Sequence, residues 1–273
     1  VKKYVLEIRK VLGDQPDKPA FVATFPRRGY QFIAAVRDES TAASDLPANT
    51  PKTIVGRADA LAQLDKCLAK ALNGKRQVIF VSGDAGIGKT TLLDVFQQRA
   101  ASRPTLRIAR GQCVEGFGGK EAYYPVLEAL GQWFRAEQGG AVLHTLAKQA
   151  PTWLIQFPSL VKAEQRAALQ KEILGATRER MVREICEALE SLTAQDALVL
   201  VLEDLHWVDP STLDFISAFA RRRGPAKLLL LGTYRPADVI ILDSPLKALK
   251  QDLVIHNLSC EVGLERLEES DIA

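Results

Sequence analysis

Between Val78 and Phe96 the chain reads VIFVSGDAGIGKTTLLDVF: four apolar residues, then three glycines, a lysine and two threonines within nine positions, then a helical run. A buried strand that breaks into so much backbone freedom, with a helix directly after it, leaves few folds open. Gly83-x-x-x-x-Gly88-Lys89-Thr90 fits the phosphate-binding loop pattern, and it stands between a strand and a helix as that pattern requires. Glycines let consecutive backbone N–H groups turn inward around a phosphate, and the helix N-terminus adds its positive end. The candidate cradle is Gly83, Asp84, Ala85, Gly86, Ile87, Gly88, Lys89, Thr90 and Thr91. In this pattern Lys89 reaches the β and γ oxygens of a nucleotide, and the Thr90 hydroxyl ligates Mg2+.

Such a loop needs a carboxylate on a neighbouring strand, because Mg2+ keeps an octahedral shell and uses few protein ligands. ALVLVLEDLHW, starting at Ala197, supplies two: six apolar residues end in Glu203 and Asp204. Both acids then emerge at the C-terminal edge of a buried strand, where ligands bind in open parallel sheets. The metal candidates are Thr90, Glu203 and Asp204; the spacing leaves open which acid orients water on the metal and which polarises the attacking water. Arg235, in LLLLGTYRP, leaves another apolar strand on the same edge, and its planar fork of donors suits a terminal phosphate. Lys89, Glu203, Asp204 and Arg235 are therefore the catalytic candidates. Arg221, Arg222 and Arg223 read as a solvated helix end, His206 and Trp207 as a packed turn as readily as active groups, and Cys113 as core.

Around these motifs, helical and strand patterns alternate. ADALAQLDKCLAKAL (58–72) is an amphipathic helix, RQVIFVSG a strand, KTTLLDVFQQRAA a helix and TLRIARGQ a strand. A mostly helical stretch covers about 125–193, followed by strand ALVLVLED, helix TLDFISAFARRR, strand KLLLLGTY, helix SPLKALKQD and a last short strand in LVIHNL. Continuous apolar strands separated by helices predict an α/β fold, a P-loop NTPase parallel sheet with helices on both faces. RDESTAASDLPANTPKT, residues 37–53, has almost nothing to bury and reads as a linker. It separates residues 1–36 from an ATP-binding domain over 54–273. Within the first segment, Val1, Val5, Ile8 and Leu12 form one helical stripe ended by Gly13, and AFVATF and GYQFIAAV form a hairpin with a basic tip.

Charge is informative only in its distribution. The net charge is +3, and residues 1–36 carry seven Lys/Arg against three acids, so the basic excess sits at one end. Four cysteines lie far apart with no C-x-x-C pair, which excludes a zinc site of the usual spacing and favours a reduced compartment. The longest apolar runs fall far below the roughly 18 residues that span a bilayer. A cytoplasmic protein without membrane contact is expected, and the chain reads as a fragment of a longer one.

IVGRADAL, GDAGIGKTT, LVLVLEDLHWVDPSTL and LLLLGTYRP together resemble the nucleotide-binding domain of the STAND class of AAA-related signal-transduction ATPases, over about residues 53–273. The resemblance implies ATP or ADP with Mg2+ as ligands, Val55, Gly56 and Arg57 in the adenine pocket, Arg235 as the γ-phosphate sensor, and assembly that changes on ATP binding. The family's first acid after the strand is usually Asp; here it is Glu203. Residues 1–36 resemble the last third of an OmpR/PhoB-type winged helix, through YVLEIRKVLGD and RRGYQF. That likeness implies a recognition helix plus a β-hairpin wing, with Lys2, Lys3, Lys10, Arg27 and Arg28 as DNA contacts, mostly to phosphate. The leading expectation is an ATP-switched transcriptional regulator binding DNA through a complete winged helix. Its rivals are an ATPase motor or chaperone-like enzyme with a basic docking module, and a hydrolysis-dead scaffold.

Overall fold

The computed structural model describes residues 14, 19–25, 29–32, 54–116, 121–136, 140–161 and 163–267. The chain falls into two compact units, Val1–Thr50 and Pro51–Ala273. In the first, β1 (Val22–Phe25) pairs antiparallel with β2 (Gly29–Phe32), Val22 opposite Phe32 and Phe25 opposite Gly29, which is the expected hairpin. Buried Asp14 anchors its first strand: the carboxylate accepts the N–H of Ala20 at 2.6 Å, Phe21 at 3.2 Å and Val22 at 2.9 Å. A short acidic side chain closes chain onto backbone in this way at turns. The expected helix over 1–13, the linker 37–53, and Lys2, Lys3, Lys10, Arg27 and Arg28 lie outside the described residues.

The second unit is built on a parallel sheet of β3 (Gln77–Ser82), β4 (Leu106–Gln112), β5 (Ala197–Glu203), β6 (Leu228–Tyr234) and β7 (Cys260–Gly263). Their order is β4-β5-β6-β3-β7, every pairing parallel. The apolar runs read as continuous because alternate residues serve two different cores. Val78, Phe80, Leu198, Leu200, Leu228 and Leu230 face one core. Its cover is α3 (Tyr124–Ala136), α4 (Gly140–Gln149), α5 (Pro151–Leu154), α6 (Ala163–Glu172), α7 (Arg178–Leu192), α8 (Pro210–Arg221), α9 (Pro236–Ile241) and α10 (Leu246–Ile255). Ile79, Val81, Val199, Val201, Leu229 and Leu231 face the other, under α1 (Ala58–Leu72) and α2 (Lys89–Ala100). Each of these side chains is fully or nearly fully buried, worth roughly 1.5–3 kcal/mol apiece.

Two glycines set close approaches. A Cβ at Gly111 would run into the carbonyl of Pro125, because the first turn of α3 lies directly on β4. At Gly232 it would strike Leu205, which packs over the end of β6 from the turn after β5.

Two expectations need correction. LVIHNL is not a strand: Leu253, Val254 and Ile255 close α10, and the last strand is Cys260–Gly263. Leu246 and Leu253 reach the core while Val254 and Ile255 are exposed, so the spacing is helical although the residues are β-formers. At the end of α8, Arg221 and Arg223 are exposed as expected, but Arg222 is not simply solvated. Arg222 grips Glu190 of α7 with two bonds of 2.7 Å, while Arg221 pairs with Asp252 of α10. Cysteines distant in sequence also come near each other: burial raises the pKa of the Cys67 thiol of α1, and Cys260 on β7 adds to the rise. Cys113 is core, as expected. Among the described residues no helix is long and apolar enough to cross a membrane.

Candidate functional site

At the C-terminal edge of the sheet, β3 ends and the chain loops over Gly83–Gly88 into α2. Gly86 and Gly88 have φ of +75° and +99°, a region that disfavours side chains, and no atom lies within 4 Å of where a Cβ would stand at either position. The loop therefore keeps an open concavity at the head of α2. Lys89 is buried, and its Nζ donates back to the carbonyls of Gly83 at 2.7 Å and Asp84 at 2.8 Å. Burial lowers its pKa, helped by the nearby positive charge of Arg235. A buried ammonium held by its own loop is a cation poised for an anion.

Beside the loop, the Thr90 hydroxyl donates to Glu203 Oε2 at 3.1 Å, so two of the three metal candidates are adjacent. Glu203 Oε1 accepts from Arg110 Nε at 2.5 Å, and Arg110 Nη1 donates to Asp94 of α2 at 2.7 Å. Burial opposes the charge on Arg110, but these bonds prevail and raise its pKa. Sequence reading missed Arg110; the available signal was a charged residue inside the otherwise half-apolar strand LRIARGQ. Asp204 occupies the left-handed region at φ +55°, its N–H donating to Thr233 Oγ1 at 3.1 Å and its Oδ2 accepting from Gln112 at 2.8 Å. Gln112 of β4 and Thr233 of β6 thus hold Asp204 just past the end of β5.

Arg235 leaves β6 as expected and caps α9, its Nη1 at 3.4 Å from Asp238. Its Nε is buried with no partner among the described residues. On the other side of the loop, Arg57 is buried and donates to the carbonyl of Ile87 at 3.1 Å, tying the head of α1 to the loop apex. A cleft of about 390 Å³ opens there, lined by Gly56, Arg57, Ala58 and Asp59 on one wall and Val262, Gly263 and Leu264 on the other. Val55 is half exposed and does not line it. The β7 wall was invisible in the sequence, because the last strand was expected elsewhere.

The family model of the AAA ATPase domain matches residues 53–231. The chain belongs to this AAA ATPase domain family. The AAA chain is 26% identical over 193 residues to uncharacterized protein R02095 of Rhizobium meliloti (strain 1021), covering 67% of this chain and 19% of that protein. It therefore spans a minor part of that relative. The crystal structure of Cdc6p from Pyrobaculum aerophilum aligns over 88% of this chain and 52% of its own, with a TM-score of 0.51 at 16% identity. This likeness places the AAA chain in the same fold. The Aeropyrum pernix Orc1 protein in complex with DNA aligns over 83% of this chain and 49% of its own, with a TM-score of 0.46 at 16% identity.

Proposed function

We propose that the second unit binds ATP and ADP with Mg2+ at the Gly83–Thr91 loop, hydrolyses ATP slowly, and uses the exchange as a conformational switch. The observation that carries this is the buried Lys89 ammonium, folded onto Gly83 and Asp84 carbonyls beside an open glycine loop. Such a group is costly to bury unless an anion is its working partner. The residues fit the ligand: Gly86 and Gly88 leave the cradle clear, Thr90 and Glu203 offer hard oxygens side by side, and Arg235 keeps an unpartnered buried donor.

In this reading Gly56, Arg57 and the β7 wall hold the base, the loop amides and Lys89 hold the β and γ oxygens, and Thr90 and Glu203 hold the metal. Bound Mg2+ supplies charge neutralisation at the phosphates. Arg110 fixes Glu203, so the longer side chain is oriented where an Asp is more usual. Asp204, turned by its left-handed backbone, accepts a hydrogen bond from the attacking water. Arg235 releases Asp238 and donates to the γ-phosphate, which separates the ATP from the ADP state.

The wider proposal concerns the parent protein. There the 1–36 segment completes a winged helix, Lys2, Lys3, Lys10, Arg27 and Arg28 contact DNA phosphate, and ATP-driven assembly modulates transcription. The domain limits follow: DNA-binding segment 1–36, linker 37–53, ATP-binding domain 54–273. A single-turnover assay tests the enzymatic part. Radiolabelled ATP should be cleaved slowly by the wild-type chain and about 100-fold more slowly by Glu203→Gln with binding retained. Equal cleavage by both proteins overturns the assignment of Glu203. For the switch, operator affinity of the intact protein should differ between ADP and an ATP analogue, and identical affinity refutes it.

A further inference from the structure

His206 follows the two acids by a single turn, and its side chain has 0% exposure. Neither ring nitrogen has a hydrogen-bond partner among the described residues. A buried polar group in that condition costs about 1–3 kcal/mol, so its retention calls for a reason. The ring stands between two carboxylates. Nδ1 lies 4.0 Å from Asp204 Oδ1 and Nε2 lies 3.5 Å from Asp238 Oδ2, each a little beyond a hydrogen bond. Asp238 is the acid that faces Arg235, while Asp204 is held from its other side by Gln112. The ring rests against Trp207 with centroids 5.2 Å apart, so it is confined between these groups.

Burial disfavours the imidazolium, as do the charges of Arg235 and Lys89, against the pull of Asp204 and Asp238. A neutral imidazole carries one N–H and can donate to one of its two acids at a time. We propose that His206 is a positioning residue that couples Arg235 to Asp204, by donating to Asp204 or to Asp238 but never to both. The proposal rests on the Mg-ATP reading above. While Arg235 pairs with Asp238, that acid is neutralised, and the N–H of His206 serves Asp204. When Arg235 turns to a γ-phosphate, Asp238 loses its cation; one proton passes through Asp238 onto Nε2 and one leaves Nδ1 through Asp204 to water, so the ring stays neutral as Nε2–H and Asp204 is free to accept from water. A movement of about an ångström suffices for either contact.

Ring-labelled histidine tests this directly. The chain has three histidines, His144, His206 and His256, and His206→Asn assigns the signal. At pH 8, nitrogen shifts report which ring atom carries the proton. Without nucleotide, Asp204→Asn should move the His206 tautomer toward Nε2–H while Asp238→Asn leaves it on Nδ1, and an ATP analogue should move the wild type toward Nε2–H where ADP does not. An unmoved tautomer in both variants overturns the proposal, as does an identical signal with bound ADP and bound analogue. Failure of the nucleotide reading shows separately, as no binding of either nucleotide by the wild-type chain. Turnover gives a second readout. His206→Phe should slow single-turnover cleavage about tenfold, the worth of one hydrogen bond, with ADP affinity unchanged. His206→Gln, whose amide nitrogen reaches the Nε2 position, should restore most of the rate; parallel loss of ADP affinity in both variants would mark a purely structural role.

Discussion

Replacing Glu190 by alanine should destabilise the second unit by about 3 kcal/mol, a magnitude set by what the carboxylate holds. Glu190 on α7 accepts from Arg76 Nη2 at 2.5 Å and from Arg222 Nε and Nη2 at 2.7 Å each. Arg76 precedes β3 and Arg222 follows α8, so one side chain fastens three elements. Exposure decides how much of this is lost: the side chains of Arg76, Glu190 and Arg222 are 6%, 21% and 30% exposed. Arg222 can rehydrate and contributes little to the cost. Arg76 cannot, although it keeps the carbonyls of Phe219 and Arg222 at 3.0 Å and the face of Phe219. Breaking a buried pair costs about 3–5 kcal/mol, and these remaining partners bring the figure to the low end. At about 2–4 °C per kcal/mol for a unit of this size, Tm should fall by roughly 6–12 °C. The effect also has a pH signature. Burial alone would raise the pKa of Glu190, but the bonds from Arg222 and Arg76 outweigh it and lower it. A lowered folded pKa gives stability that is present above the unfolded value of about 4.3 and lost as pH falls through the folded one. Urea titrations at pH 7 and below pH 4 should therefore show the gap between wild type and Glu190→Ala closing in acid. Exposed Glu187→Ala on the same helix should stay within about 0.5 kcal/mol. A loss under 1 kcal/mol at pH 7, or a gap independent of pH, would refute the reasoning.

Further predictions concern the supports of the site. Asp209 caps α8 through Thr212 N–H at 2.9 Å and also accepts the N–H of Tyr123 at 3.1 Å, so Asp209→Ala should cost about 3 kcal/mol in a urea titration. Gly111→Ala should cost about 3 kcal/mol by forcing α3 off β4, and an unchanged midpoint would contradict that packing. Arg110→Met, which leaves Glu203 unheld, should slow single-turnover cleavage of ATP about tenfold while metal-free ADP binding by fluorescence titration stays constant.

Much of the fold was legible because a parallel sheet buried on both faces writes itself as unbroken apolar runs. VIFV, ALVLVL and LLLL could be placed for that reason, and the glycine loop could be placed because only glycine tolerates its backbone. LVIHNL misled because its β-branched residues are exposed on the end of a helix; composition spoke for a strand where spacing spoke for α10. The Glu190 cluster and the nearness of Cys67 to Cys260 join residues far apart along the chain, and local pattern carries no trace of such pairings. At the site, Lys89, Thr90 and Glu203 were legible from spacing and do lie together. Arg110, Gln112 and Thr233 were not, since their importance arises only once β4, β5 and β6 are neighbours. His206 was seen but left undecided: a sequence shows that a histidine follows two acids, and not that both its nitrogens are buried between two carboxylates.

The measurement that tests the central claim most directly is calorimetric titration of ATP and ADP, with Mg2+, into the wild-type chain and into Lys89→Ala. The account predicts binding by the wild type, weakened about 10- to 100-fold in the variant as the buried ammonium's bonds to phosphate are removed. Equal affinity in the two proteins, or heat of binding in neither, would contradict it.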